Sequence, residues 1–189
     1  MLPLIRDQAF NNQDYTKTGL TKAEYDNCTF TDCNFEACYL SAISFLECEF
    51  INCNLTNTKL KEATFKEVLF TDCKMVGMPF YESNAFLFSV NFKQCNLDLS
   101  TFTNLKLIGT TFKKCSLQKV DFTNADLSKT NFNDCNLKDA IFENTILEAS
   151  DFSTAYNFNL NPDKNKMKGA KFSRATIDGL LLEHQIIIE

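Results

Sequence analysis

Residues 111–142 read TFKKCSLQKVDFTNADLSKTNFNDCNLKDAIF. Phe112, Leu117, Phe122, Leu127, Phe132, Leu137 and Phe142 stand five apart in this stretch. A period of five matches neither the 3.6 of an α-helix nor the 2 of a strand. It suits a chain that turns a corner every five residues and sends one large side chain inward from each side. Four such sides close one coil, so every fourth central residue should stack on the same column.

The register extends both ways. It runs forward through Leu147 to Phe152 and back through Leu107, Phe102, Leu97 and Phe92 to Leu87. Two extra residues intervene around Tyr81–Phe86, and the series then continues from Phe80 back to Leu20. All 27 central positions are Leu, Phe, Tyr or Met, types that make up about a quarter of the chain, so chance does not produce the run. The longer period is present too. Phe30, Phe50, Phe70, Phe92, Phe112, Phe132 and Phe152 take every fourth central position, with the insertion falling inside one step, and are expected to form one stacked row.

Nine cysteines first suggest a disulfide framework or a metal site. Their placement argues otherwise. Each lies two residues before a central residue, a slot also filled by Ala23, Ala63, Ala125, Ala140, Ser100 and Thr110. This is a small inward position, and Cys33, Cys53, Cys73, Cys95, Cys115 and Cys135 form one line along the axis. Zinc needs four ligands converging at about 2.0–2.3 Å, and a line with a step of about 4.8 Å does not converge. No metal or cofactor is expected, and the cysteines are read as buried, reduced core filler. Asn34, Asn54, Asn96 and Asn136 form a parallel line, expected to bond along its length.

The segments A-D-L-S-K (125–129), C-N-L-K-D (135–139) and A-T-F-K-E (63–67) resemble the pentapeptide-repeat pattern A-(D/N)-L-x-x. The resemblance covers roughly residues 20–152. It implies an all-β fold: a right-handed, quadrilateral, parallel β-helix of about seven coils, roughly 34 Å long. A solenoid needs caps. Residues 1–19 are the expected N-terminal cap, although Ile5, Phe10 and Tyr15 keep the phase. Residues 20–156 are the expected helix, interrupted near 81–86, and 157–189 a C-terminal cap and dimerisation module.

In that module Ser173 is placed to cap a short helix, on which Ile177, Leu180 and Leu181 share a face. Ile186, Ile187 and Ile188 follow as a β-prone run. With N-P-D-K-N-K-M (161–167) and G-L-L (179–181), this end resembles the Qnr-like and microcin-immunity pentapeptide proteins. That resemblance implies a homodimer through the C-termini that engages DNA gyrase as a double-helix mimic and protects it from quinolone-type poisons. The long loops of Gram-negative Qnr proteins are missing here; only the two-residue insertion interrupts the register.

Charge limits the functional classes. The net charge of −5 disfavours direct nucleic-acid binding, which needs clustered Lys and Arg. Residues 23–58 carry six acids (Glu24, Asp26, Asp32, Glu36, Glu47, Glu49) and no Lys or Arg, whereas 87–155 hold eight acids against seven lysines. Neither approaches the charge density of B-DNA, one per about 1.7 Å. His184 is the lone histidine, and no nucleophile, base and orienter converge in the pattern, so no enzyme is expected. Long apolar runs and a secretory start are both missing, which reads as a cytoplasmic protein. The expected partner-contact residues are Tyr81, Glu82, Phe86 and Phe88 at the insertion, where Phe88 follows a central residue and should point outward, with Glu47 and Glu67. The alternative is an interaction module for an unknown protein partner with no link to gyrase.

Overall fold

The computed structural model describes residues 2–86, 88–184 and 186. The chain winds a right-handed, four-sided parallel β-solenoid of about eight turns. At roughly 4.8 Å per turn the rod is about 38 Å long, one turn more than the sequence suggested. The added turn lies at the start. Leu4–Arg6 pairs with Glu24–Asp26, and Ala9–Asn11 with Thr29–Thr31. The phase kept by Ile5, Phe10 and Tyr15 is therefore that of a first coil, and Tyr15 stacks on Phe35 at 4.7 Å. The short helix Tyr15–Thr18 is capped by Asp14, whose carboxylate accepts from the Thr16 N–H.

Side one of the rod carries Ile5, Tyr25, Phe45 and Phe65 in a four-stranded parallel sheet. Side two is a nine-stranded parallel sheet running from Ala9–Asn11 to Lys171–Phe172. Sides three and four are held by single bridges such as Asn34↔Asn54 and Thr101↔Asp121. Among the described residues no helix is long and apolar enough to cross a membrane.

The core is a set of stacked columns. Phe10, Phe30, Phe50, Phe70, Phe92, Phe112, Phe132, Phe152 and Phe172 stack along side two with ring centroids 4.6–5.4 Å apart. Each fully buried ring contributes roughly 1.5–3 kcal/mol of transfer free energy. The small slot beside each large residue also has a polar job. Thr58, Thr130 and Thr145 donate their hydroxyls to the Phe35, Leu107 and Phe122 carbonyls in the preceding coil, at 2.9–3.0 Å. Cysteine occupies the same slot because its thiol is small, apolar and still a weak donor. All nine are free and buried, as their shared position predicts.

Corners explain the length of the repeat. At most corners from Asp7 to Gly169 the residue two after the central position adopts positive φ, 51–74°. L-residues pay for this backbone unless they are Gly, Asn or Asp, which fits Asn12, Asn27, Asp32, Asn52, Gly77 and Gly109. The asparagine line departs from expectation. Asn34, Asn54, Asn96 and Asn136 do not bond to one another. Each Oδ1 accepts from the backbone N–H two residues on, at 3.0–3.2 Å, in a local turn. A short side-chain oxygen reaches the backbone N–H two residues on more readily than its counterpart in the next coil.

Candidate functional site

The insertion interrupts side one between Asn84 and Val90. The Asn84 N–H still donates to the Ala63 carbonyl, as Ser44 does to Ala23. By Val90 the strand partner is Val68, and the whole insertion has been absorbed. A 3-10 turn over Phe80–Glu82 leads in, closed by the Ser83 hydroxyl donating to the Phe80 carbonyl at 2.5 Å. The Asn84 side chain then accepts from the Phe86 N–H at 3.0 Å. Phe86 is left 75% exposed and Tyr81 51% exposed. Tyr81 Oη lies 3.3 Å from the Glu82 carboxylate.

Phe88 does not face outward. It is buried, with edge-to-face contacts to Phe65 at 6.2 Å and Phe80 at 6.0 Å. The reason is a change of sides in the core. Up to Phe65 the second aromatic column stands on side one; from Phe80 it continues on side four through Phe102, Phe122 and Phe142. Phe88 fills the space at the hand-over. Sequence phase marked Leu87 as the inward residue; that residue lies outside the described set.

Glu47 and Glu67 are exposed at the corner where side one ends, in register with Asp7 and Asn27. Glu82 sits at the corner where side one begins, its carbonyl accepting from the Glu62 N–H. Side one near the insertion is thus edged by carboxylates, with Phe86 between them. Acids elsewhere in 23–58 are partly engaged. Asp26 pairs with Arg6, while Asp32 accepts from the Asn52 amide and Glu36 from the Asn54 amide. Cross-coil amide–carboxylate bonds of this kind also join Asn27 to Asp7 and Gln94 to Asp72, and they offset like-charge stacking. Sequence reasoning missed them, although Asn and Asp alternating at equivalent corners of successive coils would have revealed them.

The C-terminal end differs from the expected helix. It forms two short 3-10 helices, Ile177–Leu180 and Leu182–His184. Ser173 does not cap them; its hydroxyl accepts from the Ala175 N–H in the preceding turn. In a 3-10 helix, with about three residues per turn, Leu181 leaves the line of Ile177 and Leu180. Leu180 packs on the core, Leu181 is half-buried, and Ile177, Leu182 and Ile186 are exposed. Ile187 and Ile188 lie outside the described residues. Gly179 fixes this end to the rod: its carbonyl accepts from the Leu160 N–H, and an added Cβ would stand 2.5 Å from the Phe158 carbonyl oxygen. Lys164 lies 3.0 Å from Glu143 and 3.5 Å from Glu183. The Asn161 amide, then Lys164, hold the Glu183 carboxyl below its usual range. A groove of about 490 Å³ opens beside it, lined in part by Lys138, Tyr156, Phe158, Thr176 and Leu182.

The family described as pentapeptide repeat region matches residues 18–102, 43–118 and 97–185. The chain is a pentapeptide repeat protein. Among solved structures, this pentapeptide repeat rod is similar to HetL, a pentapeptide repeat protein involved in heterocyst differentiation regulation from the cyanobacterium Nostoc sp. strain PCC 7120. That likeness has TM-score 0.70 and 19% identity over 98% of this chain and 92% of HetL. A trypsin-treated form of QnrB1, a plasmid-mediated fluoroquinolone resistance protein, aligns at 15% identity over 98% of this chain and 100% of that one, with TM-score 0.48. At these identities the likeness to HetL is one of fold, and the QnrB1 alignment adds nothing to it. None of the curated proteins is a significant match in sequence.

Proposed function

We propose that this pentapeptide repeat protein is a non-enzymatic protein-binding scaffold that docks its partner on side one at the insertion. The carrying observation is Phe86, three-quarters exposed on a rod whose other aromatic rings are mostly packed inside, with Tyr81, five residues earlier, half exposed. Exposed apolar groups rimmed by polar ones suit a contact site. Glu82 on one edge and Glu47 and Glu67 on the other favour a basic partner surface.

DNA gyrase is the partner to which the C-terminal resemblance points, because a surface that binds DNA is basic. In this reading the rod lessens drug damage by competing for that surface. The second reading, a different protein partner, is supported by Arg6, Asn52 and Asn54, which engage half the acids of the most acidic stretch. A supercoiling assay with and without a fluoroquinolone separates them. Rescue of supercoiling by the wild type and its loss in Phe86→Ala support gyrase. No rescue by the folded wild type removes gyrase and leaves the scaffold to be tested against other partners.

The scaffold is further proposed to be a two-fold dimer joined at its C-terminal end. Ile177, Leu182 and Ile186 are exposed there, next to the groove at Phe158. A closed two-fold contact is the commonest way to cover such a surface. Light scattering at tens of micromolar is expected to give twice 21.6 kDa. A monomer mass, or a dimer unaffected by Leu182→Asp with Ile186→Asp, overturns this joint.

A further inference from the structure

The cysteine line is unfit for zinc, but its regular spacing suits a different kind of ion. Cys33, Cys53, Cys73, Cys95, Cys115 and Cys135 occupy equivalent places in six successive coils. The thiols of Cys33, Cys53, Cys73 and Cys135 each lie 3.3–3.4 Å from a carbonyl of the preceding coil, and Cys95 lies 3.5 Å from the Phe70 carbonyl across the insertion. Cys115 keeps the bond to the carbonyl two residues before it, as the others do. Successive sulfurs are therefore displaced by one coil rise. In the same coils the neighbouring phenylalanine centroids step by 4.8–5.4 Å, and the backbone rise is about 4.8 Å.

That step is too long for a disulfide, whose S–S bond is about 2.05 Å. It is also wrong for a converging site: among the described residues no group of three or more potential ligands surrounds a point. It does match a two-coordinate ion. A metal–thiolate bond is about 2.3 Å, so a linear sulfur–metal–sulfur unit spans about 4.6 Å. The side chains point inward, across the axis. An ion on the line between two sulfurs thus meets each carbon–sulfur bond near a right angle, the disposition divalent sulfur prefers. Soft monovalent ions are the class that thiolates select with low coordination number.

We propose that this six-cysteine line binds soft monovalent d10 cations of the Ag(I) or Cu(I) class, each held linearly between the sulfurs of two successive coils. On binding, one S–H bond breaks and its proton leaves to solvent. A sulfur–metal bond forms in its place, and a lone pair on the next sulfur completes the second bond. Nothing is oxidised or reduced. One cation replaces one proton, so the buried line stays neutral and avoids the cost of burying net charge. Gln13 and Ala155 occupy the same slot one coil beyond each end and bound the line. Cys28 and Cys48 form a second, two-membered line that offers one further gap.

The test separates adjacency from cysteine number. Wild-type protein is refolded in chloride-free buffer with silver nitrate, desalted and weighed by native mass spectrometry. Retention of at least three silver ions is expected. Two triple variants each lose three thiols of the line. Cys53→Ser, Cys95→Ser and Cys135→Ser leave no two neighbours, and retention is expected to fall to at most the single ion of Cys28–Cys48. Cys33→Ser, Cys53→Ser and Cys73→Ser leave Cys95, Cys115 and Cys135 adjacent, and are expected to retain at least one ion more. Serine keeps the hydroxyl-to-carbonyl bond already made by Ser100. Equal silver in the two variants, or none in folded wild type, overturns the proposal. Should a variant fail to fold, X-ray absorption of silver-loaded wild type decides: two sulfur neighbours support the site, and three or more, or oxygen and nitrogen neighbours, sink it.

Discussion

Below the insertion, Tyr25 and Phe45 on side one stand edge-on to the side-two column and Phe65 is tilted against it, and side four holds Leu20, Leu40 and Leu60. Above it the assignment is exchanged. Phe80, Phe102, Phe122 and Phe142 stand on side four, while Leu107, Leu127 and Leu147 line side one. The coil of Phe45, Phe50, Leu55 and Leu60 and that of Leu107, Phe112, Leu117 and Phe122 hold the same two Phe and two Leu, so between them the exchange conserves volume, which is what a close-packed core tolerates. The surfaces diverge at the same point. Side one is a continuous sheet below, and above it is held by single bridges such as Lys106↔Asp126. The insertion is thus the joint between two versions of one cross-section, and the exposed Phe86 arises where they meet.

The side-two column is common to both halves, and removing a ring from it is the severest way to challenge this picture. Phe112→Ala above the joint and Phe50→Ala below it are each expected to cost about 3–5 kcal/mol. Reversible denaturant unfolding measures both. A loss under about 1 kcal/mol in either would mean that its half lacks the shared core.

Phe88 tests the hand-over itself. Because it fills space between Phe65 and Phe80 at the edge of the core, Phe88→Ala is expected to cost about 2–3 kcal/mol. A cost within about 0.5 kcal/mol, the usual range for surface positions, would show that no ring is needed there.

The thiols add a pH dependence. Burial raises Cys48 from 9.0 to about 12. Its folded pKa exceeds its unfolded value, so its contribution is full below pH 9 and is lost as pH rises toward 12. The loss is at most about 1.4 kcal/mol per pH unit for one group. Unfolding curves at pH 8.5 and 10.5 should show stability falling, and Cys48→Ser should fall less steeply. An equal slope in that variant would mean that Cys48 ionises alike in both states.

Phe86→Ala should give the smallest stability change, within about 0.5 kcal/mol, while weakening partner binding at least tenfold. A larger stability loss in thermal or chemical unfolding would place Phe86 in the fold rather than on the docking surface.

The sequence alone determined the rod. A large residue every fifth position and a small one two places earlier leave one solution, because a chain turning at that interval buries every central side chain only by coiling on itself. The same arithmetic placed all nine cysteines inside and located the interruption to within a few residues. Tertiary structure decided what period and phase do not encode. Phe88 turned inward because the aromatic column changes sides, an event visible only when neighbouring coils are superposed. The side-chain oxygens of the asparagine line bonded locally because they reach the backbone N–H two residues on first. Leu181 left the line of Ile177 because the terminal turn is 3-10, tightened where Gly179 meets the backbone of Phe158. In each case the outcome rests on which contact wins once the coils are stacked, and a reading along the chain cannot weigh neighbours that belong to different turns.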